Sequence, residues 1–461
     1  MTEITLHLRQ DMNMPLYMQI YEHIKQEIIQ EHITVGSRLP SHRKLSEHLQ
    51  VSRNTVELAY AQLVAEGYVH SIPKKGLYAA DLSYDIQPAS PGVTAPFAQM
   101  ERPTFDFSQG LVDASAFPIT LWKRTMIQCL YDNEKEWFTP EHIQGEIVLR
   151  EQLTNYLYQS RGVVCTPEQI VFGAGTQLLL SILVELMGVT TYAMEEPGFH
   201  RARAVLQNSR HPLTYVEIDE HGLSVQALRN TEATIVYITP SHQFPYGMIM
   251  PVHRRLELLD WAKETDGYII EDDYDGEFRY IGRPIPALQG LDASNRVIYL
   301  GTFSKAFLPA MRMSYMVLPP SLLEVYKQKG ALYKQTVSKI HQLTMYHFMK
   351  NGHWQRHLNR MRTLYKKKQK KLISSIQHWM GTNVTIIGSQ SGLHIVLDVK
   401  NGMTESELIQ AAARYDIKVY PLSVYYANPP FSCSHILLGF GGLTEQEIEV
   451  AISLLHTAWF G

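Results

Sequence analysis

Lys305, in the phrase GTFSKAFLPAMR, is the residue whose type and setting most directly invite chemistry. It follows the apolar run 297–300, which places it at the exit of an expected strand. A lysine amine there can condense with an aldehyde cofactor, while Thr302, Ser304 and Arg312 can surround a phosphate. A Ser-Lys pair alone is most often an ordinary surface feature, so its companions decide the matter. GAGTQ (173–177) joins another expected strand to a helix, where Gly175 and Thr176 can offer backbone N–H groups and a hydroxyl to phosphate. IIEDDYDGEF sets Asp272 just past a third strand, suited to face a protonated pyridine nitrogen, with Tyr274 in reach of a ring hydroxyl. The same acids could form a plain acidic loop, but they lack the spaced oxygens of a hard-cation loop. The 20 histidines form no HExxH or comparable local pattern, so no metal site is expected; His242, beside the cofactor phrases, merits first inspection.

The elements that must hold these residues follow from apolar rhythm. Strand-like runs occur at 170–172, 191–194, 213–218, 234–238, 268–270, 297–300 and 314–317, and helical patterns at 176–187, 252–263 and 321–329 fill most gaps. This alternation predicts a large α/β sheet with both faces covered over residues 104–350. From 351 to 461 a basic helix, a strand near 392–398 and helices near 404–415 and 444–458 predict a connecting helix and a small α+β domain. The stretch 353–372 carries eight Lys/Arg and no acid. It is expected to be a helix with a solvated basic face, or else a second surface for DNA.

Ahead of these lies a different module. Leu16, Ile20, Ile24 and Ile28 predict a first helix, a second begins after Ser41, and Ser52 looks like the N-cap of a third that stops at Gly67. VHSIPKKGLYAA then reads as a hairpin, completing a winged helix-turn-helix over 1–80. Arg53, Asn54 and Thr55 would enter the major groove. Arg38, Ser41, Arg43, Lys44, Ser52, Lys74 and Lys75 would hold phosphates or shape the helix ends that do so. Residues 81–103, with Pro88, Pro91, Pro96 and Pro103, predict a linker.

The phrase LPSHRKLSEHLQVSRNTVELAYAQLVAEGYV (39–69) resembles the helix-turn-helix core of GntR-class regulators. The rear motifs resemble a fold-type-I pyridoxal-phosphate enzyme, and the two together resemble a MocR-type transcription regulator over nearly the whole chain. That resemblance implies a cofactor imine on Lys305, Asp272 on the pyridine nitrogen and Tyr274 on the ring hydroxyl. It also implies a phosphate site of Gly175, Thr176, Thr302, Ser304 and Arg312. Phe199, in EEPGFHR, would lie against the ring, and Gln243, in SHQFPYG, would take the amide-bearing place beside it. It further implies double-stranded operator DNA as partner and a head-to-tail, domain-swapped homodimer.

One departure stands out. In LGFGGL (438–443), Gly442 occupies the position where relatives carry an arginine for the effector's carboxylate. Glycine cannot replace a guanidinium fork, so efficient amino-acid transamination is not expected. Arg201 or Arg203 could bind an acidic amine effector instead, or pyridoxal phosphate could itself be the signal. A true aminotransferase with an appended DNA-binding domain is the alternative, and a DNA-binding architectural protein a third.

Composition sets the bounds. The 461 residues are 45% hydrophobic and 19% charged with a formal net charge of -3, which excludes a disordered or histone-like chain. The first 80 residues balance eight Lys/Arg against eight Asp/Glu, so DNA binding rests on placement rather than gross charge. Cys129, Cys165 and Cys433 are too scattered for a disulfide framework. No run approaches about 18 apolar residues, so no membrane span is expected, and a cytoplasmic protein is.

Overall fold

Apolar residues at helical spacing assemble the first unit. In a computed structural model, residues 6, 8, 14–82, 103–132, 135–280, 282, 285–330, 334–429 and 434–461 are described. They fall into two units, Met1–Met100 and Glu101–Gly461. The expected linker lies almost wholly outside the described residues. The first unit contains α1 (Leu16–Ile29), α2 (His42–Leu49) and α3 (Arg53–Ala65), then the hairpin β1 (Val69–Ile72) and β2 (Gly76–Ala79). Ile20, Ile24, Leu45, Val56, Tyr60 and Leu63 close its core. Ser41 and Ser52 cap α2 and α3 by accepting from the amides of Lys44 and Thr55.

The second unit begins with β3 (Phe105–Asp106), α4 (Ile119–Asp132) and α5 (Ile147–Arg161). The alternating segment follows: β4 (Ile170–Gly173), α6 (Thr176–Met187), β5 (Tyr192–Glu196), α7 (His200–Asn208), β6 (Leu213–Asp219) and β7 (Gly222–Leu223). It continues through α8 (Val225–Arg229), β8 (Ile235–Ile238), α9 (Val252–Glu264), β9 (Tyr268–Asp273), β10 (Val297–Thr302) and β11 (Ser314–Val317). The eight strands form one sheet in the order β4-β11-β10-β9-β8-β5-β6-β7. Within it β6, β5, β8, β9 and β10 run parallel, and β11 is antiparallel to both β10 and β4.

Pleating sends alternate side chains to opposite faces. Met316 and Leu300 enter one core with α6 and α7, while Tyr299, Tyr315 and Val317 enter another. Both faces are therefore dry, as a parallel sheet requires.

The chain then runs through α10 (Pro320–Gly330), α11 (Lys339–Lys350), α12 (His353–Met380), β12 (Val384–Ile387) and β13 (His394–Val399). It ends with α13 (Glu405–Ala413), β14 (Ile417–Lys418), β15 (Tyr420–Pro421), β16 (His435–Gly439) and α14 (Glu445–Phe460). The small sheet has the order β12-β13-β16-β15. Its core is continuous with that beneath the large sheet, since Phe303, Trp354, Leu372, Ile395 and Leu455 belong to one cluster. The basic face of α12 departs from expectation at Lys368, which is buried on Asp113 at 2.6 Å and on the Gly441 carbonyl at 3.0 Å. No described helix is long and apolar enough to cross a membrane.

A buried ion pair ties helix to sheet behind the site. Arg161 Nε meets Asp273 Oδ2 at 2.6 Å, Nη2 donates to Ser241 Oγ at 2.7 Å, and the Tyr299 hydroxyl donates to the same carboxylate oxygen. Arg161→Met leaves that carboxylate buried without its cation and is expected to cost about 3–5 kcal/mol of stability. Denaturant unfolding of the full chain reads this loss, and Arg161→Met with Asp273→Leu should recover much of it.

Candidate functional site

The carboxyl ends of β4, β9 and β10 open on one edge of the large sheet, where open α/β sheets bind ligands. A cavity of about 330 Å³ lies there. Lys305, Asp272, Tyr274 and Phe199 line it, as do Gly175, Thr176, Thr302, Ser304 and Arg312. Gly175 and Arg312, 137 positions apart in sequence, thus share one wall because strand order, not sequence order, sets their neighbours.

Lys305 Nζ donates to both the backbone carbonyl and the side-chain Oε1 of Gln109, the latter at 2.7 Å. Loss of water around the amine lowers its pKa to about 8, with Asp275 opposing and Arg201 adding to that shift. The neutral, nucleophilic form is therefore a minority of roughly one tenth at pH 7, far above that of an ordinary lysine.

Asp272 is buried, and burial raises its carboxyl to about 7, although the Tyr237 hydroxyl donates to Oδ2 and favours the anion. Its Oδ1 is buried with no hydrogen-bond partner among the described residues. A carboxylate oxygen left so is costly unless a cationic donor completes it. Burial also holds the Tyr274 phenol protonated, well above its ordinary value.

The anion end of the cavity is built around the start of α6. Its N-cap is Gly175, at φ 106, with no side-chain cap, so the first N–H groups of a 12-residue helix remain directed at the cavity. A Cβ at Gly175 would collide with the Arg312 guanidinium. Thr302 Oγ1 accepts from the Ser304 amide at 3.1 Å and from Ser314 Oγ at 2.9 Å, which fixes a hydroxyl rim opposite Arg312.

Two expected residues turn away. The Gln243 amide donates to the carbonyls of Pro197 (3.0 Å) and Phe244 (2.8 Å), while its oxygen accepts from the Tyr246 amide. Phe244 takes the place in the wall instead, because satisfying three buried backbone groups draws Gln243 inward. Arg203 donates to the carbonyls of Val424 and Tyr425, at 2.7 and 3.1 Å, and so ties α7 to the 424–425 turn; Arg201 is the one that lines the cavity.

Gly442 packs on Leu111, where a Cβ would come within 2.8 Å of the Leu111 Cβ. The glycine is thus matched to a close approach of the 108–112 segment, the same segment that brings Gln109 to Lys305. Gln109, Phe244 and Tyr237 carry no local sequence signal for these roles, since each acts through a contact distant in the chain.

In the first unit, Ser52, Arg53 and Asn54 are exposed at the start of α3, with Thr55 half-buried. Arg38, Ser41, Arg43 and Lys44 are exposed at and before α2, and Lys74 and Lys75 at the hairpin tip. Arg43 and Arg53 are held by Glu47 and Glu57 at 2.9 and 3.1 Å, one helical turn on.

Residues 16–78 match the family described as bacterial regulatory proteins, gntR family, and residues 105–455 match aminotransferase class I and II. The HTH-type transcriptional regulator YdeL of Bacillus subtilis is 44% identical over 99% of both chains. The probable rhizopine catabolism regulatory protein MocR of Rhizobium meliloti is 31% identical over 98% of this chain and 96% of its own. The chain belongs to the MocR-type family of transcription regulators. Its rear unit has the fold of the multiple substrate aminotransferase of Thermococcus profundus, with TM-score 0.70 and 21% identity over 78% of this chain and 92% of that one. The front helix-turn-helix of this MocR-type chain is a DNA-binding domain.

The aminotransferase class I and II fold generally binds pyridoxal phosphate. The residues of this chain fit that group: an unpartnered buried Asp272 oxygen for a ring N–H, an uncapped helix start beside Arg312 for phosphate, and a lysine of lowered pKa for a carbonyl. Because the free amine reacts, adduct formation should quicken about tenfold per pH unit below pH 8 and level off above it. Stopped-flow absorbance after mixing apoprotein with pyridoxal phosphate measures this profile. A rate independent of pH between 6 and 8 would contradict the assigned state of Lys305.

Proposed function

We propose that this MocR-type regulator holds pyridoxal phosphate on Lys305 and couples occupancy of the site, by cofactor or by an amine effector, to operator binding. The observation that carries the reading is the convergence of the Lys305 amine and the unpartnered Asp272 Oδ1 on one cavity. When bound, the cofactor supplies an electrophilic carbonyl carbon and an electron-withdrawing ring. Lys305 contributes an amine whose lowered pKa brings its nucleophilic free form within reach near neutrality, and Gln109 orients it through two acceptors. Asp272 holds charge at the ring nitrogen, Phe199 supports the ring, and Arg312 with Thr176, Thr302 and Ser304 retains the phosphate.

The effector is a small amine or amino acid, or the cofactor itself. Gly442 offers no guanidinium and packs on Leu111, whereas Arg201 lines the cavity as a cation that can meet an acidic group. The front unit reads double-stranded operator DNA with Arg53 and Asn54 in the major groove, while Arg38, Arg43, Lys44, Lys74 and Lys75 contact phosphates. The functional particle is a head-to-tail, domain-swapped homodimer in the cytoplasm. A second reading, a true aminotransferase with an appended reader, is favoured by the full set of cofactor-facing residues and weakened by Gly442 packed on Leu111.

Two experiments separate these. Operator binding by full-length protein should change on loading with pyridoxal phosphate or an added primary amine, and Lys305→Ala should abolish that change while leaving basal DNA binding intact. An undiminished response in Lys305→Ala overturns the coupling through Lys305. Robust multiple-turnover transamination across a panel of amino donors would establish the second reading. Separately, Arg53→Ala should weaken operator binding about 5- to 150-fold, the equivalent of about 1–3 kcal/mol, and relax sequence preference at one base position.

A further inference from the structure

Tyr274 does not act in the cavity wall unaided. Its hydroxyl donates to the backbone carbonyl of His242 at 3.1 Å and lies 2.8 Å from Nδ1 of the same residue. That imidazole is buried, and its Nδ1 faces both carboxylate oxygens of Asp275, at 3.1 and 3.0 Å. An ionised carboxylate only accepts, so Asp275 keeps the proton on Nδ1. The Tyr274 oxygen therefore meets an N–H, and its own proton is left to the His242 carbonyl, at 3.1 Å long for an O–H···O bond, or to an acceptor that enters the cavity.

The imidazole has little freedom to adopt another pose. A Cβ at Gly392 would collide with its ring, and one at Gly247 would lie 2.9 Å from Nε2. Nε2 is itself buried with no hydrogen-bond partner among the described residues. The titratable groups around the ring are Tyr274 and Asp275 beyond β9, His394 on β13 and the nearby Lys305. His394 lies tilted against it at 5.1 Å between centroids and is held neutral by burial, its pKa pushed down to about 3.

His242, Asp275 and His394 have the composition of a metal site, with ligand atoms within 4.8 Å of one another. One nitrogen of each imidazole is engaged within the protein: His394 Nε2 bonds the Pro245 carbonyl at 2.9 Å, and His242 Nδ1 serves Asp275 and Tyr274. The Nδ1 bonds order the protons around the Tyr274 hydroxyl. Gln243 is spent on backbone and Phe244 stands in the wall, so the 241–247 loop brings no amide to the cavity beside Tyr274 among the described residues.

We propose that His242, fixed by Asp275, is a positioning residue that turns the Tyr274 hydroxyl into an outward donor toward the cofactor's ring oxygen and so tunes the protonation of the Lys305–cofactor adduct. This rests on the cofactor reading above. A donor at that oxygen stabilises its anionic form and lowers the pH at which the adduct gives up its proton. His242→Leu removes the N–H behind Tyr274 and should raise that midpoint by about 0.5–1 pH unit.

The test is a pH titration of the visible absorption band of full-length protein loaded with pyridoxal phosphate. Tyr274→Phe should shift the midpoint the same way, and the double variant should add nothing to it. His242→Asn, which retains an N–H close to the Nδ1 position, should keep the wild-type midpoint. Should His242→Leu not fold, Asp275→Asn, which frees the imidazole proton, reads the same linkage and should also shift the midpoint. An unmoved midpoint in a folded variant, or shifts that sum fully in the double variant, overturns the positioning role while the cofactor reading stands. A wild-type protein that forms no adduct overturns both.

Discussion

Withdrawal of the Lys305 amine from water is the constraint around which the rear unit is arranged. An ammonium taken out of solvent needs compensating acceptors and holds its proton less firmly, and both effects are present: Gln109 supplies two oxygens while the pKa falls to about 8. Gln109 is 196 residues distant, so the chain must carry the 108–113 segment across the cavity and anchor it. Asp113 does so by pairing with buried Lys368, and Gly439 and Gly442 permit the approach by lacking side chains. The glycine that removes an arginine and the glutamine that holds the lysine thus belong to one local solution.

Charge is handled differently at the opposite end of the ring-sized space. Asp272 and Asp273 are adjacent on β9 and point to opposite faces. Each keeps one buried oxygen without a partner, but Asp273 is paired internally with Arg161 and Tyr299, whereas Asp272 receives the Tyr237 hydroxyl and lines the cavity. A strand's twofold alternation thereby divides two identical side chains between architecture and ligand. The bare start of α6 repeats the logic with backbone groups, as a helix end without a side-chain cap is completed from outside.

Most of the framework was legible in the sequence because it is written in local patterns. Ser52 before an amphipathic run announces α3, and seven apolar runs announce the strands of the large sheet, each within a few residues. Only the two-residue β7 escaped that reading. The positions of Lys305, Asp272 and Gly175 were legible too, since each closes a strand. What escaped was set by contacts across the fold. Gln243 and Phe244 are neighbours, and which one faces the cavity depends on whether the carbonyl of Pro197 needs a donor. Lys368 reads as one more cation in a basic run until Asp113 arrives from 255 residues away. His242 and Asp275 meet only because β8 and β9 lie side by side.

The 28-residue helix α12 has a mechanical consequence. At about 1.5 Å per residue it spans roughly 42 Å. Near its beginning His357 bonds the carbonyl of Ala306, the residue after Lys305, at 2.8 Å, and at mid-length Arg362 bonds the Glu277 carbonyl and Lys368 grips Asp113. Beyond these grips its last turns pack along α14. Held at these points along its length, the rod acts as a girder: one rigid element carries the position of the lysine loop into the core of the small domain.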